Sequence, residues 1–140
     1  MDPVKLHYDI SGTDFTTAGE ASGKIKKTLK SLGFSPAIIR NVTIAVYEAE
    51  INMVVHAGGG EIDAYVSPEK IEVVLVDHGP GIPDIGLAMQ EGWSTAPENV
   101  RQLGFGAGMG LPNIKKYSDD LQIESEVGKG TTIRITVLNK

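Results

Sequence analysis

Cysteine is absent from the 140 residues of this chain, so neither a disulfide framework nor a thiolate metal site is available. A long hydrophobic run is absent too, because the longest apolar stretch, residues 71–76, is interrupted by Glu72. The first residues do not combine a basic region with a following hydrophobic core. We therefore expect no membrane span and no export signal, and a cytoplasmic location.

Positive charge is scarce. The chain has 13 Lys and Arg residues against 18 Asp and Glu residues, which gives a formal net charge of −5. Its densest lysine stretch, residues 24–30, is partly apolar and is typical of the solvated face of a helix. We therefore expect no nucleic-acid-binding surface. The length, with 41% hydrophobic residues, predicts a single domain over residues 1–140.

Two segments in the first half of the sequence have the periodicity of helices. Apolar residues recur at three- and four-residue steps over residues 18–32, and Gly33 stands where such a helix would end. A longer helix is predicted to begin at Ser35-Pro36, a capping residue followed by proline, and to end at the glycines of residues 58–60.

Alternating apolar and polar residues predict the strands. Residues 6–10 form the first, and two hairpins follow, which join 62–66 to 71–76 and 121–127 to 133–137. Helices grouped before these strands predict an α+β fold. We expect a two-layer α/β sandwich, with a mixed, mostly antiparallel sheet and helices on one face.

Glycine is concentrated between residues 79 and 110, which contain eight glycines and three prolines and which we interpret as a mobile segment. Near its end glycine occupies every second position, just before a short helix predicted over residues 111–117; these residues are Gly104, Gly106, Gly108 and Gly110. Glycine lets a backbone approach a ligand closely, and the amides that open a helix attract an anion. The pattern indicates a phosphate cradle for a nucleotide, with a flexible loop as the alternative.

Glu48 and Asn52 lie four residues apart on the long predicted helix and project from one face, so they can share a ligand or an ion. Their neighbours are apolar, and polar side chains in an apolar face need a partner. The alternative is a solvated helix face, which is our expectation for Glu50 on another side of the helix. His56, one turn beyond Asn52, can either reach a phosphate or bond a local carbonyl.

Asp77 ends the most hydrophobic predicted strand and begins an Asp-X-Gly-X-Gly pattern. A partly buried carboxylate can accept a hydrogen bond from the exocyclic amine of adenine, whereas guanine has a carbonyl there. The alternative is ordinary turn chemistry, with Gly79 and Gly81 permitting the bend. Thr131 opens the last predicted strand and can hold a water beside Asp77 if the two strands are neighbours; otherwise it is only a good strand residue.

Four motifs in this order resemble the N, G1, G2 and threonine motifs of the GHKL ATPase superfamily. The matching residues are Glu48-X-X-X-Asn52, Asp77-X-Gly-X-Gly81, the alternating glycines up to Gly110, and Gly130-Thr131. The resemblance extends over residues 35–140. It implies the Bergerat, or histidine kinase-like ATPase, fold, in which ATP lies between helices and the sheet under a flexible lid, here residues 83–103.

Within the superfamily the chain is most similar to the small switch serine/threonine kinases of the anti-sigma and stressosome type. Glu48 stands where histidine kinases usually carry another residue, and the segment from Gly108 to Pro112 resembles the switch kinases. The resemblance implies an ATP-dependent kinase that phosphorylates a small STAS-type antagonist protein in a regulatory partner switch. A sigma factor, another regulator or a second copy of the chain are further partners to consider.

The resemblance also implies roles for individual residues. Glu48 is the expected catalytic base, Asn52 the expected ligand of Mg²⁺ beside the ATP phosphates, and Asp77 the expected reader of adenine. Arg101 lies in the expected lid, but no motif specifies it. The complete set expected to bind the nucleotide is Asn52, His56, Asp77, Gly79, Gly81, Ile82, Gly104, Gly106, Ala107, Gly108, Met109, Gly110, Leu111 and Thr131.

Two other functions remain open on the sequence alone. One is a nucleotide-gated binding module that sequesters a sigma factor or another regulator with little catalysis. The other is an ATPase fragment whose partner chain supplies the missing function. A Glu48→Gln variant separates a kinase from the binding module, because the module's regulation would be unaffected.

Overall fold

The computed structural model of the protein describes residues 3–11, 19–81 and 110–140. Eight elements occur in these ranges: β1 (Val4–Ser11), α1 (Glu20–Ser31), α2 (Pro36–Ala57), β2 (Gly59–Val66), β3 (Lys70–Asp77), α3 (Gly110–Tyr117), β4 (Asp120–Glu126) and β5 (Gly130–Leu138). No helix in this part of the chain has both the length and the apolar character needed to cross a membrane.

The five strands form one sheet in the order β1-β2-β3-β5-β4. Both predicted hairpins are present, since β2 pairs with β3 and β4 pairs with β5. Every pairing among the described strands is antiparallel, so the mixed sheet that we expected is antiparallel throughout this part of the chain. β3 and β5 lie side by side, with Val73 opposite Ile135.

The hydrophobic core lies on one face of this sheet. Because side chains alternate along a strand, Ile71, Val73 and Leu75 of β3 share one face, and all three are buried. They belong to one cluster with buried side chains of α1, α2 and α3, such as Ile25, Val46 and Ile114. The predicted α+β sandwich with helices on one face is therefore confirmed.

Helix α2 begins and ends where its sequence predicts. The Ser35 hydroxyl accepts a hydrogen bond from the Ile38 N–H at 3.4 Å, and Pro36 occupies the first helical position. Gly58, with a φ of 72°, ends the helix in the left-handed conformation that favours glycine. The resulting helix of 22 residues carries both Glu48 and Asn52.

Glu50 corrects the expectation of a solvated side chain, because it is only 1% exposed. Its carboxylate accepts hydrogen bonds from the backbone N–H groups of Gly19 at 2.8 Å, Ala21 at 3.4 Å and Ser22 at 3.1 Å. These groups open α1, whose N-cap residue is Gly19 and therefore offers no side-chain cap. Glu50 satisfies N–H groups that a helix leaves unpaired, and its negative charge complements the helix dipole.

Candidate functional site

Asp77 is held at the end of β3 by backbone donors from two different segments. Its Oδ1 atom accepts hydrogen bonds from the Gly79 N–H at 3.0 Å and from the Thr131 N–H at 3.1 Å. The first bond fixes the turn after β3, and the second joins that turn to the start of β5. Both bonds use the same oxygen, and no hydrogen bond from the described residues reaches Oδ2.

Two glycines let the backbone close around Asp77. A Cβ atom on Gly79 would lie 2.6 Å from the Cα of Ala57, so glycine allows the turn to approach the end of α2. Gly130 has a φ of +132°, and a Cβ atom there would overlap the Asp77 carbonyl oxygen. The close approach of β3, β5 and α2 thus depends on Gly79 and Gly130, which both belong to the sequence motifs. Gly81 lies beside Pro80, whose carbonyl accepts the Gly128 N–H at 2.9 Å.

Thr131 lies next to Asp77, as the sequence predicts for neighbouring strands, and is only 6% exposed. Its hydroxyl oxygen is 2.9 Å from the Ser125 hydroxyl oxygen on β4, and the Ser125 hydroxyl also donates to the Gly130 carbonyl at 3.2 Å. The sequence analysis did not predict this contact between Ser125 and Thr131. The alternation of β4 indicates it, because Ser125 stands two residues after Ile123 and so shares its inward-facing side of the strand.

Glu48 is half-buried on α2, at the side of the helix that faces α3. Burial raises the pKa of its carboxyl group above the usual range, and a hydrogen bond from the Asn113 side chain partly offsets this increase in the pKa. A carboxylate with a raised pKa is a stronger base than an ordinary one.

Asn52 stands one turn beyond Glu48 on α2 and is half-buried. In the described ranges no group of three or more His, Asp or Glu side chains is placed to hold a metal ion. A single amide oxygen nevertheless fits Mg²⁺, which keeps several waters and takes the remaining oxygens from substrate phosphates. The donor set thus agrees with a metal that binds together with a nucleotide.

Helix α3 begins at Gly110, the last of the alternating glycines. Leu111 and Ile114 are buried in the core, so the first turn of the helix is anchored against the rest of the protein. Backbone N–H groups at such a helix start are oriented to meet an anion. Gly110 and Leu111 are the first described residues of α3, and their role in phosphate binding stays a prediction.

Several predicted residues lie outside the described part of the chain. The side chain of His56 is among them, as is the predicted lid of residues 83–103 with Arg101. The remaining ones are Ile82, Gly104, Gly106, Ala107, Gly108 and Met109. Their roles stay predictions. The structure brings together Asp77, Gly79 and Thr131 at one sheet end.

Comparison with known proteins identifies the class to which this fold and site belong. Residues 14–137 match the family described as histidine kinase-like ATPase domain. The chain belongs to this family, which confirms the resemblance to the Bergerat-fold ATPases.

Two curated relatives narrow the class. The chain is 32% identical over 113 residues to the serine/threonine-protein kinase RsbT of Bacillus subtilis (strain 168), a match that covers 78% of this chain and 79% of RsbT. It is 38% identical over 103 residues to the anti-sigma F factor of Thermoanaerobacter sp. (strain X514), covering 70% of this chain and 68% of that factor. The chain thus belongs with the partner-switch kinases and anti-sigma factors of the family.

A solved structure supports the fold independently. The crystal structure of the RsbU and RsbW domains of Rv1364c from Mycobacterium tuberculosis aligns with a TM-score of 0.67 and 17% sequence identity. The alignment covers 98% of this chain but 33% of that chain, so this protein spans about a third of the larger one. At this identity the likeness shows the fold alone.

Proposed function

We propose that this protein is an ATP-dependent serine/threonine kinase of the switch-kinase type, whose substrate is a small STAS-type antagonist protein. The observation that carries the proposal is the half-buried carboxyl group of Glu48 at the contact between α2 and α3, with its raised pKa. A structural surface glutamate would be solvated, whereas a base for a hydroxyl group benefits from this environment. The similarity to the kinase RsbT supports the same conclusion.

The nucleotide would bind between α2 and the sheet end at Asp77. Because two N–H groups hold Oδ1 of Asp77, its second oxygen has a fixed direction and can accept the exocyclic amine of adenine. The N–H groups at the start of α3, with the glycines before it, would bind the phosphates. Asn52 would hold Mg²⁺, which neutralises charge on the phosphates when it is bound.

The chemical step is phosphoryl transfer to a serine or threonine hydroxyl of the partner. The hydroxyl oxygen forms a bond to the γ-phosphorus as the bond from that phosphorus to the β,γ-bridging oxygen breaks, and ADP leaves. The Glu48 carboxylate accepts the hydroxyl proton. Since such transfer depends mainly on positioning and charge neutralisation, the base acts by orienting the hydroxyl and removing its proton late in the reaction.

The test is transfer of labelled phosphate from ATP to candidate STAS-type proteins in the presence of Mg²⁺. We expect Glu48→Gln to lower the rate by about 100-fold or more while ATP affinity, measured by calorimetry, changes little. Glu61→Gln is the matched control, because Glu61 is exposed on the opposite face of the sheet. Transfer at the wild-type rate by Glu48→Gln, or no labelled acceptor with the wild type, contradicts the proposal.

A second candidate function is a nucleotide-gated anti-sigma or regulator-binding module with little catalysis. The similarity to an anti-sigma F factor favours it. In that case the wild type would bind a regulator in an ATP-dependent manner, and Glu48→Gln would bind it equally well and regulate it normally. A binding assay with both variants, run beside the phosphate-transfer assay, separates the two functions.

A further inference from the structure

Three polar side chains form a row across neighbouring strands at one end of the sheet: Asp77 on β3, Thr131 on β5 and Ser125 on β4. Ser125 is the direct partner of Thr131 in the pairing of β4 with β5, and the Thr131 N–H donates to the Asp77 carboxylate at 3.1 Å. Each of the three lies two residues from an apolar side chain of the core cluster or packed against it, and so shares the face that the helices cover. Ser125 thus borders the proposed adenine site without belonging to any of the four sequence motifs.

The hydrogen bonds of Ser125 determine the direction of the bond between the two hydroxyl groups. The Ser125 hydroxyl oxygen lies 3.2 Å from the Gly130 carbonyl oxygen, and a carbonyl can only accept, so Ser125 donates its single hydroxyl proton there. The Ser125 oxygen is also 2.9 Å from the Thr131 hydroxyl oxygen. Because the Ser125 proton is used by the carbonyl, Thr131 is the donor in this second contact. The Thr131 oxygen therefore faces its remaining surroundings with lone pairs alone.

This order of protons places two acceptors beside each other, the Asp77 carboxylate and the Thr131 hydroxyl oxygen. An amino group has two hydrogens and can donate to both, whereas a carbonyl group can donate to neither. Adenine carries an amine at the position where guanine and hypoxanthine carry a carbonyl. The pair of acceptors therefore suits a 6-aminopurine.

We propose that Ser125 is a specificity-determining residue, which fixes the Thr131 hydroxyl as an acceptor and so strengthens the preference of the site for a purine with a 6-amino group. This inference rests on the nucleotide binding of the proposed function. A threonine hydroxyl that is free to rotate can donate as well as accept, and would tolerate a carbonyl. Since Thr131 is only 6% exposed, a mismatched group beside it finds little water to replace the missing bond.

The test compares the affinities for ATP and for inosine triphosphate, whose base carries the carbonyl, by calorimetry. The variants are Ser125→Ala, Thr131→Val and the double variant. We expect each single variant to lower the ratio of the two affinities about tenfold, and the double variant to lower it no further, because both changes act through one hydroxyl group. Gln122→Ala, on the exposed side of β4, is the control and should keep the wild-type ratio.

A residue needed only for packing would weaken the binding of both nucleotides equally, or would alter stability alone. An unchanged affinity ratio in Ser125→Ala therefore overturns the proposal. Losses that add up in the double variant overturn it as well, because they would show that Ser125 does not act through Thr131.

A second measurement needs neither a nucleotide nor a variant. In NMR spectra of the nucleotide-free wild type, the Thr131 hydroxyl proton should exchange slowly with water and show a nuclear Overhauser effect to the β protons of Ser125. A Ser125 hydroxyl proton directed at Thr131 instead overturns the proposal. If the wild type binds no adenine nucleotide, the proposed function fails, and this measurement still decides whether Ser125 fixes the Thr131 hydroxyl.

Discussion

Glu48 and Glu50 are two residues apart on the same helix, but they occupy opposite environments. Glu50 is almost fully buried and accepts three backbone N–H groups at the start of α1. Glu48 is only half-buried, and burial raises the pKa of its carboxyl group. The hydrogen bonds of Glu50 replace the water that its carboxylate lost on burial.

The comparison shows that burial alone does not distinguish a structural carboxylate from a candidate catalytic one. The more buried side chain, Glu50, stabilises the start of α1 through three backbone N–H groups. The less buried one, Glu48, has a raised pKa and is the residue that we propose as the base. Asp77 differs from both glutamates, because two backbone N–H groups donate to one of its carboxylate oxygens. We assign the adenine amine to its other oxygen in the proposed function.

The largest expected effect is on stability and concerns Glu50. Glu50→Ala leaves three N–H groups at the start of α1 without their acceptor, so we expect the free energy of unfolding to fall by about 3 kcal/mol. Urea unfolding monitored by circular dichroism measures this change. Glu48→Ala should change the same quantity by less than about 1 kcal/mol, because Glu48 has fewer bonds to lose. Equal losses in the two variants would remove the distinction between the carboxylates.

A somewhat smaller effect is expected on the affinity for ATP when Asp77 is replaced. Asp77→Asn can still accept the two backbone N–H groups, but its amide nitrogen cannot accept the adenine amine. We expect ATP affinity to fall about 100-fold, as a buried polar group of the ligand loses its partner. Calorimetry measures the affinity, and Asp120→Asn on the exposed edge of β4 serves as the control. Unchanged affinity would place the adenine elsewhere.

The smallest expected effect is a pH dependence of the free energy of unfolding that arises from Glu48. Its pKa is raised in the folded state, so the folded protein holds the proton more tightly than the unfolded chain does. The resulting stabilisation is complete below the unfolded pKa, about 4.3, and is lost as the pH rises through the folded pKa. The stability of wild type relative to Glu48→Gln should therefore decrease over this range.

Urea unfolding of both proteins at several pH values measures that difference. We expect a change of less than about 1 kcal/mol, because the side chain is only half-buried and solvent screens it. Glu61→Gln provides the baseline for an exposed glutamate. A difference that stays constant, or that grows in favour of wild type with rising pH, contradicts the raised pKa.

Local sequence signals predicted the secondary structure of this protein well. Helix α2 follows from a cap and a proline at Ser35-Pro36 and from the glycine at its end, all of which act within one turn. The hairpins follow from alternation, which reports directly on the two faces of a sheet. The proximity of Asp77 and Thr131 was predicted only on the condition that their two strands are neighbours, and the pairing of β3 with β5 meets that condition.

The remaining contacts depend on how distant elements pack together. The donors of Glu50 belong to a helix start 28 to 31 residues earlier in the chain, and no periodicity in α2 indicates them. Such contacts are determined by packing, and a single sequence contains no spacing rule for them.

The chain leaves the central strand β3 at Asp77 and enters the adjacent strand β5 at Gly130, where the Thr131 N–H bonds back to Asp77 at 3.1 Å. The two strand ends are thus fastened to each other independently of the sequence between them. Because loop-closure entropy grows only slowly with length, the cost of a longer or shorter excursion from this junction is small. The length of the segment formed by residues 82–109 can therefore change without rebuilding the sheet.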